Sequence, residues 1–108
     1  MKDLTLYESI HLIAILRLGD DAYGVTIKKE ITEMTNREIS YGTLYSYLDQ
    51  LFKKELVTKT VGAPTHERGG RRKIYYQVTA FGVKALQAAY SLQKSIWQGS
   101  PKLVYENK

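Results

Sequence analysis

Cysteine is absent from this chain of 108 residues, which excludes disulfide frameworks, thiolate nucleophiles, Cys-ligated zinc and iron–sulfur clusters. Histidine occurs twice, His11 in an apolar stretch and His66 in a polar one, so no pair stands four residues apart to hold a metal; metal and cofactor are both read as none. No Ser-His-Asp set or paired carboxylates can be argued, and an enzyme is not expected. The longest apolar run, Leu12 to Leu16, is far too short to span a bilayer, and the N-terminus lacks the basic-then-apolar plan of a signal peptide. The expectation is a soluble, cytoplasmic chain with no membrane partner.

Acidic residues are scarce where basic ones gather. The net charge is +5, and residues 39 to 76 carry seven basic side chains against three acidic, whereas residues 1 to 38 carry five against seven. Arg68, Arg71, Arg72 and Lys73 surround Gly69 and Gly70, so four cations sit on a backbone free to follow another molecule's shape. Such crowding of like charge is unfavourable unless a polyanion faces it.

The stretch LTLYESIHLIAILRL, Leu4 to Leu18, is apolar on too many faces for a surface helix, with Asp3 placed to cap it and Gly19 to stop it. Packing of one side on its own domain and the other on a second copy would absorb the excess. A chain this short also gains from such burial. Tyr23 to Met34 reads as a second helix with Ile27, Ile31 and Met34 inward, and Ser40 caps a third that runs to about Lys54. Leu56 to Val61 and Ile74 to Val78 read as strands of a hairpin with a Gly- and Pro-containing tip. Thr79 caps a last helix, Ala80 to about Trp97.

On a helical wheel the third helix places Leu44, Leu48, Leu51 and Phe52 on one buried arc. Gly42, Thr43, Ser46, Gln50 and Lys53 occupy the opposite arc, with Tyr45 and Tyr47 on its shoulders. Small hydroxyls, an amide, phenols and a cation, with Asp49 as the one nearby acid, are the chemistry of a surface that meets base edges and phosphates, though an ordinary solvated face has a similar composition. Three helices followed by a basic-tipped hairpin and one more helix make a mainly α winged helix-turn-helix with an extra C-terminal helix. Residues 1–78 are the expected DNA-binding domain, 79–98 the C-terminal helix and 99–108 a short tail.

Tyr41-Gly42-Thr43-Leu44-Tyr45, the run Gly69-Gly70-Arg71-Arg72-Lys73-Ile74-Tyr75-Tyr76-Gln77-Val78-Thr79, Thr79-x-x-Gly82 and Tyr23-Gly24 together resemble the PadR-like transcriptional regulators over roughly residues 6 to 95. The resemblance implies a winged-helix homodimer that binds an operator, usually as a repressor, with the last helix of short members, here residues 79–98, used for dimerisation. Ser46 stands where the family commonly has Pro, which leaves the helix start less rigid but adds a hydroxyl that could face DNA. Some short members hold flat aromatic drugs at the dimer interface on a Trp of the last helix. Trp97 lies about one turn later than that pattern places it, so Tyr90 and Trp97 are either a ligand-binding pair or dimer packing.

The residues expected to meet double-stranded DNA are Tyr41, Gly42, Thr43, Tyr45, Ser46, Tyr47, Gln50 and Lys53 of the third helix, and His66, Arg68, Arg71, Arg72 and Lys73 of the wing. Leu6, Ile10, Phe81, Ala85, Ala89, Leu92 and Ile96 are the expected dimer interface. The competing reading is a winged-helix interaction or ligand-sequestering dimer without specific DNA binding.

Overall fold

The computed structural model of the chain describes residues 3–62 and 72–102. In chain order it contains α1 (Leu6–Leu18), a short 3-10 turn (Gly19–Asp21), α2 (Gly24–Thr35), α3 (Tyr41–Lys53), β1 (Val57–Val61), β2 (Ile74–Val78) and α4 (Ala80–Gln98). The expected order of elements holds, and the fold is a winged helix-turn-helix with a fourth helix appended.

Helix boundaries follow local hydrogen-bond chemistry. At α1 the cap is Thr5 and not Asp3. The Thr5 hydroxyl accepts from the Glu8 N–H at 3.1 Å while the Glu8 carboxylate accepts from the Thr5 N–H at 2.8 Å. This reciprocal box satisfies two orphan donors at once, which a lone Asp two residues earlier does not. Gly19 ends the helix at φ 60, a conformation that only glycine adopts without strain. Asn36 closes α2 in the left-handed region, and the Ser40 hydroxyl accepts from the Thr43 N–H to open α3, as expected.

β1 and β2 pair antiparallel with Val57 opposite Val78 and Val61 opposite Ile74. β2 also leans on the segment before α2: the Tyr76 N–H donates to the Ala22 carbonyl at 2.9 Å and Tyr23 bridges Tyr75. At the far end of the hairpin, the Thr79 hydroxyl accepts from the Gly82 N–H at 2.9 Å and donates to the Glu55 carbonyl at 2.8 Å. Gly82 is buried there, where a Cβ would collide with the Leu56 carbonyl and stand 2.7 Å from a Val78 methyl. The Thr79-x-x-Gly82 pattern thus marks a tight crossing of α4 over the root of the wing.

The core is assembled from Leu12 and Ile15 of α1, Ile27 and Ile31 of α2, Leu44, Leu48 and Leu51 of α3, with Leu56, Val57 and Tyr76 from the wing. Two expectations are corrected. Phe52 lies on the surface, its ring under the Lys59 ammonium at 4.5 Å, because Leu51 fills the inward position at the end of α3. Ala85, assigned to the dimer interface, is buried in the core of its own chain, because it lies one turn after Gly82 on the face of α4 that crosses the wing root.

Two polar groups lie within this core. Glu8 is 2% exposed and reaches across to the Lys54 ammonium at the C-terminus of α3, tying α1 to the end of the third helix. Burial works to raise its pKa, but the Lys54 hydrogen bond, the Thr5 N–H and the Lys54 charge outweigh it and hold the carboxyl below its ordinary value. His11 is fully buried, its Nδ1–H donating to the Tyr7 carbonyl at 2.6 Å. Burial pushes its pKa down against the opposing pull of that carbonyl.

Gly82→Ala is expected to cost about 1–3 kcal/mol in urea unfolding, because the obstructing atoms include backbone that cannot swing aside. The acid limb of stability should have two components. Both folded-state pKa values lie below the unfolded ones, so the unfolded chain binds more protons and stability falls as pH is lowered, first below about 6.5 through His11 and then below about 4.5 through Glu8. Unfolding measured from pH 7.5 to 3.5 checks this, and Glu8→Gln should flatten the lower component alone.

Candidate nucleic-acid interface

The buried Leu44-Leu48-Leu51 stripe decides which face of α3 looks outward. Opposite it, Gly42, Thr43, Ser46, Gln50 and Lys53 are all exposed, as the wheel requires. Tyr41 and Tyr45 flank them, stacked with ring centroids 6.3 Å apart, and the Lys28 ammonium of α2 lies 5.4 Å from the Tyr41 ring. Asp49, the acid noted on this helix, is 3.5 Å from Lys59 of β1, so a wing cation offsets it.

Tyr47 differs from its neighbours. It is half-buried, its ring 4.8 Å from the His11 ring and 6.0 Å from that of Tyr7, so it fastens α3 to α1. The expectation of an outward shoulder is corrected to this inward lean, because the Tyr47 ring packs on the Tyr7 and His11 rings of α1.

The wing contributes from the side. Arg72 is exposed, and the Lys73 ammonium lies 4.4 Å over the Tyr23 ring at the start of α2, while Tyr23 and Tyr75 meet edge to face. Of the adjoining tyrosines, Tyr76 is buried and Tyr75 is not, as strand alternation requires. Burial, then the neighbouring Tyr45 and Asp49, push the Tyr76 phenol up to about 12. His66, Arg68 and Arg71 lie outside the described residues.

Three cations escaped the sequence reading. Lys28, Arg37 and Lys59 come from α2, the turn before α3 and β1, yet all border the exposed face of α3 or the groove at its start. Arg37 shares with Ser40, Thr43, Tyr7 and Tyr47 a cleft of about 250 Å³ at the N-terminus of α3. A cation and several hydroxyls converging in one cleft beside a helix N-terminus are the chemistry an anionic oxygen requires. The turn length between α2 and α3 carried the signal for Arg37, because a residue so close to the cap of an outward-facing helix shares its surface.

The expected dimer residues divide. Leu6, Ile10 and Ala89 line an apolar groove of about 210 Å³ between α1 and α4, with Ile13, Leu86 and Tyr90 beside them. Leu92 and Ile96 are exposed further along α4, and Phe81 borders a separate depression with Phe52 and Val57. Tyr90 and Trp97 are both exposed, two turns apart on α4. Among the described residues no group of three or more His, Cys, Asp or Glu side chains could hold a metal, and no helix is long and apolar enough to cross a membrane.

The family model described as the transcriptional regulator PadR-like family matches residues 12–88. The chain belongs to the PadR-like family. Its fold is similar to that of a PadR-like transcriptional regulator from Bacillus cereus, with TM-score 0.74, 20% identity and 94% of each chain covered. A PadR family transcription regulator from Clostridium difficile R20291 is 25% identical with TM-score 0.67, over 85% of this chain and 92% of that one. RosR of H. salinarum is 28% identical with TM-score 0.69, over 94% and 84%. No curated protein matches. The PadR-like assignment agrees with the exposed α3 face and the cation-bearing wing, and makes this a DNA-binding winged helix of a transcriptional regulator.

Within that interface the tyrosines separate by role. Tyr47→Ala is expected to cost about 2–4 kcal/mol of stability, by analogy with other aromatic truncations in packed sites, whereas Ser46→Ala and Gln50→Ala stay within about 0.5 kcal/mol. Thermal or urea unfolding of the three variants measures the contrast.

Proposed function

We propose that the protein is a sequence-specific repressor that binds a palindromic operator as a homodimer. The observation that carries this reading is the outward arc of α3, with Thr43, Ser46, Gln50 and Lys53 exposed together and cations from α2, the turn and the wing around them. Hydroxyls and an amide in the centre supply donors and acceptors for base edges; cations at the margin supply phosphate contacts that fix orientation. Arg37, Ser40 and the first N–H groups of α3 take one phosphate, Lys28 and Tyr41 its neighbour, and Arg72 and Lys73 hold the backbone at the wing; His66, Arg68 and Arg71, outside the described residues, are proposed as further DNA contacts. Gly42 lets the backbone come close.

Pairing follows from the apolar surface left on α1 and α4. Leu6, Ile13, Leu16, Leu92 and Ile96 are exposed beside the Ile10–Ala89 groove, more apolar surface than two helices of a lone domain usually leave in water. A two-fold dimer through these helices would set two α3 helices about one DNA turn apart, ~34–36 Å. Where an effector acts, a flat aromatic molecule would stack on Tyr90 and Trp97 at this interface and alter the separation of the wings, by as much as its affinity for the two arrangements differs. Repression then follows by occupancy, with the cytoplasm as the site of action.

Arg71→Ala with Arg72→Ala should weaken binding to every duplex and reduce the salt slope by about one per lost phosphate contact, whereas Gln50→Ala should chiefly alter sequence preference. Titrations of a duplex selected from a random library, beside a scrambled one, over a range of salt give both quantities. Equal loss on both duplexes for Gln50→Ala would remove it from the reading set, and absence of binding to either at low salt would favour a protein-interaction module.

A further inference from the structure

Gly24 is the first residue of α2 and is buried. Its backbone φ is not in the left-handed region, where Gly19 alone lies among the described glycines, so conformation does not call for glycine there. Space does. A Cβ at this position would overlap the Tyr45 hydroxyl oxygen and stand 2.8 Å from the ring carbon that bears it. The Tyr45 side chain therefore reaches back from α3 and rests its phenol on the bare backbone at the start of α2. From that seat the ring stacks on Tyr41 at 6.3 Å, and Tyr41 in turn lies beside Lys28. Tyr76 of β2 feels the same phenol together with Asp49, which places the seat where α2, α3 and the wing meet.

We propose that Gly24 is a positioning residue of the DNA interface: by seating the Tyr45 ring it holds Tyr41 and the outer arc of α3 in one arrangement relative to the start of α2. Tyr45 in consequence acts first as a spacer and only through its exposed edge as a DNA contact. The obstructing atoms are the far end of a side chain that is 42% exposed, so a methyl at Gly24 displaces the ring outward and leaves the core in place. An outward ring breaks the stack on Tyr41 and enters the space a DNA groove would occupy. The functional part of this inference rests on the DNA-binding reading; the seat itself does not.

The test compares wild type, Gly24→Ala, Tyr45→Ala and the double variant, each as the full chain. Binding is measured on a duplex selected by the wild type and on a scrambled duplex, and the tyrosine rings are followed by ¹³C NMR. Gly24→Ala should reduce the specific-over-scrambled ratio about tenfold while affinity for scrambled duplex changes less than about twofold; in the Tyr45→Ala background the same change should move the ratio less than about twofold. The Tyr41 and Tyr45 ring signals should shift in Gly24→Ala and those of Tyr7 and Tyr47 should not. An unchanged ratio with unchanged rings, or an equal loss in both backgrounds, overturns the proposal. Should Gly24→Ala fail to fold, the double variant must fold, and failure of both overturns it as well. Should the wild type select no duplex, the DNA reading fails while the ring signals still decide the seat.

Discussion

The third helix has to be core and surface at once, and the remaining structure is arranged around that demand. Its Leu44, Leu48 and Leu51 are fully buried against Leu12, Ile15, Ile27 and Ile31, so that stripe alone fixes the helix in rotation to within a side chain. Burying three leucines is worth several kcal/mol, on the order of 5–9 by transfer values, against which no single surface contact competes. Whatever lies opposite the stripe is then presented outward. Side chains on the shoulders are placed by finer contacts: Tyr47 by His11 and Tyr7, Tyr45 by Gly24 and Tyr41.

The first helix holds that arrangement at two points. Glu8 reaches Lys54 just past the end of α3, and His11 lies under Tyr47 near its middle. A buried carboxylate left without its cation would be costly, since desolvation is then uncompensated. Lys54 is half-exposed and Glu8 is not, so the pair is anchored from the α1 side and the α3 end follows it. The outer face of α1 meanwhile borders the groove with α4. One short helix thus touches α3 with polar and aromatic contacts on one side and offers apolar surface on the other.

Element order and most boundaries were legible because they depend on local chemistry. Ser40 and Thr79 cap the helices they precede, Gly19 stops α1, and alternation sorts Tyr76 from Tyr75. Where the reading failed, a reciprocal local bond or a tertiary contact decided. Thr5 displaced Asp3 as cap because Glu8 could answer it, and Phe52 lost the core to Leu51 because α3 ends there. Ala85 went inward because α4 crosses the wing root at Gly82. The exposed arc of α3 was readable from a wheel. Lys28 and Lys59 were not, since proximity of residues on different elements is a property of the fold and leaves no spacing in the chain; Arg37 left only the short turn before α3 as a sign.

Charge placement shows how little of a net value is needed to orient such a surface. The chain carries +5 overall, but Arg17 pairs with Glu30, Lys28 with Glu38 and Lys54 with Glu8, and those pairs consume charge on the α1–α2 side. On the α3 face Asp49 is offset by Lys59, whereas Lys53 and Arg72 stay exposed and Lys73 sits against an aromatic ring, which keeps its charge. Positive charge therefore stays on the α3 and wing side at Lys53, Arg72 and Lys73, while the pairs formed by α1 and α2 residues are locally neutral. An approaching polyanion is turned by that asymmetry before any side chain touches it, and at ionic strengths where the Debye length is near 8–10 Å only charges within about one helix diameter of the contact still count. Lys28 remains within that distance even though Glu38 shares it, because its ammonium also lies beside the Tyr41 ring at the margin of the interface. Under the proposed reading, most of the cations that steer come from α2, the turn and the wing and the side chains that read come from α3, so affinity and sequence preference can vary independently.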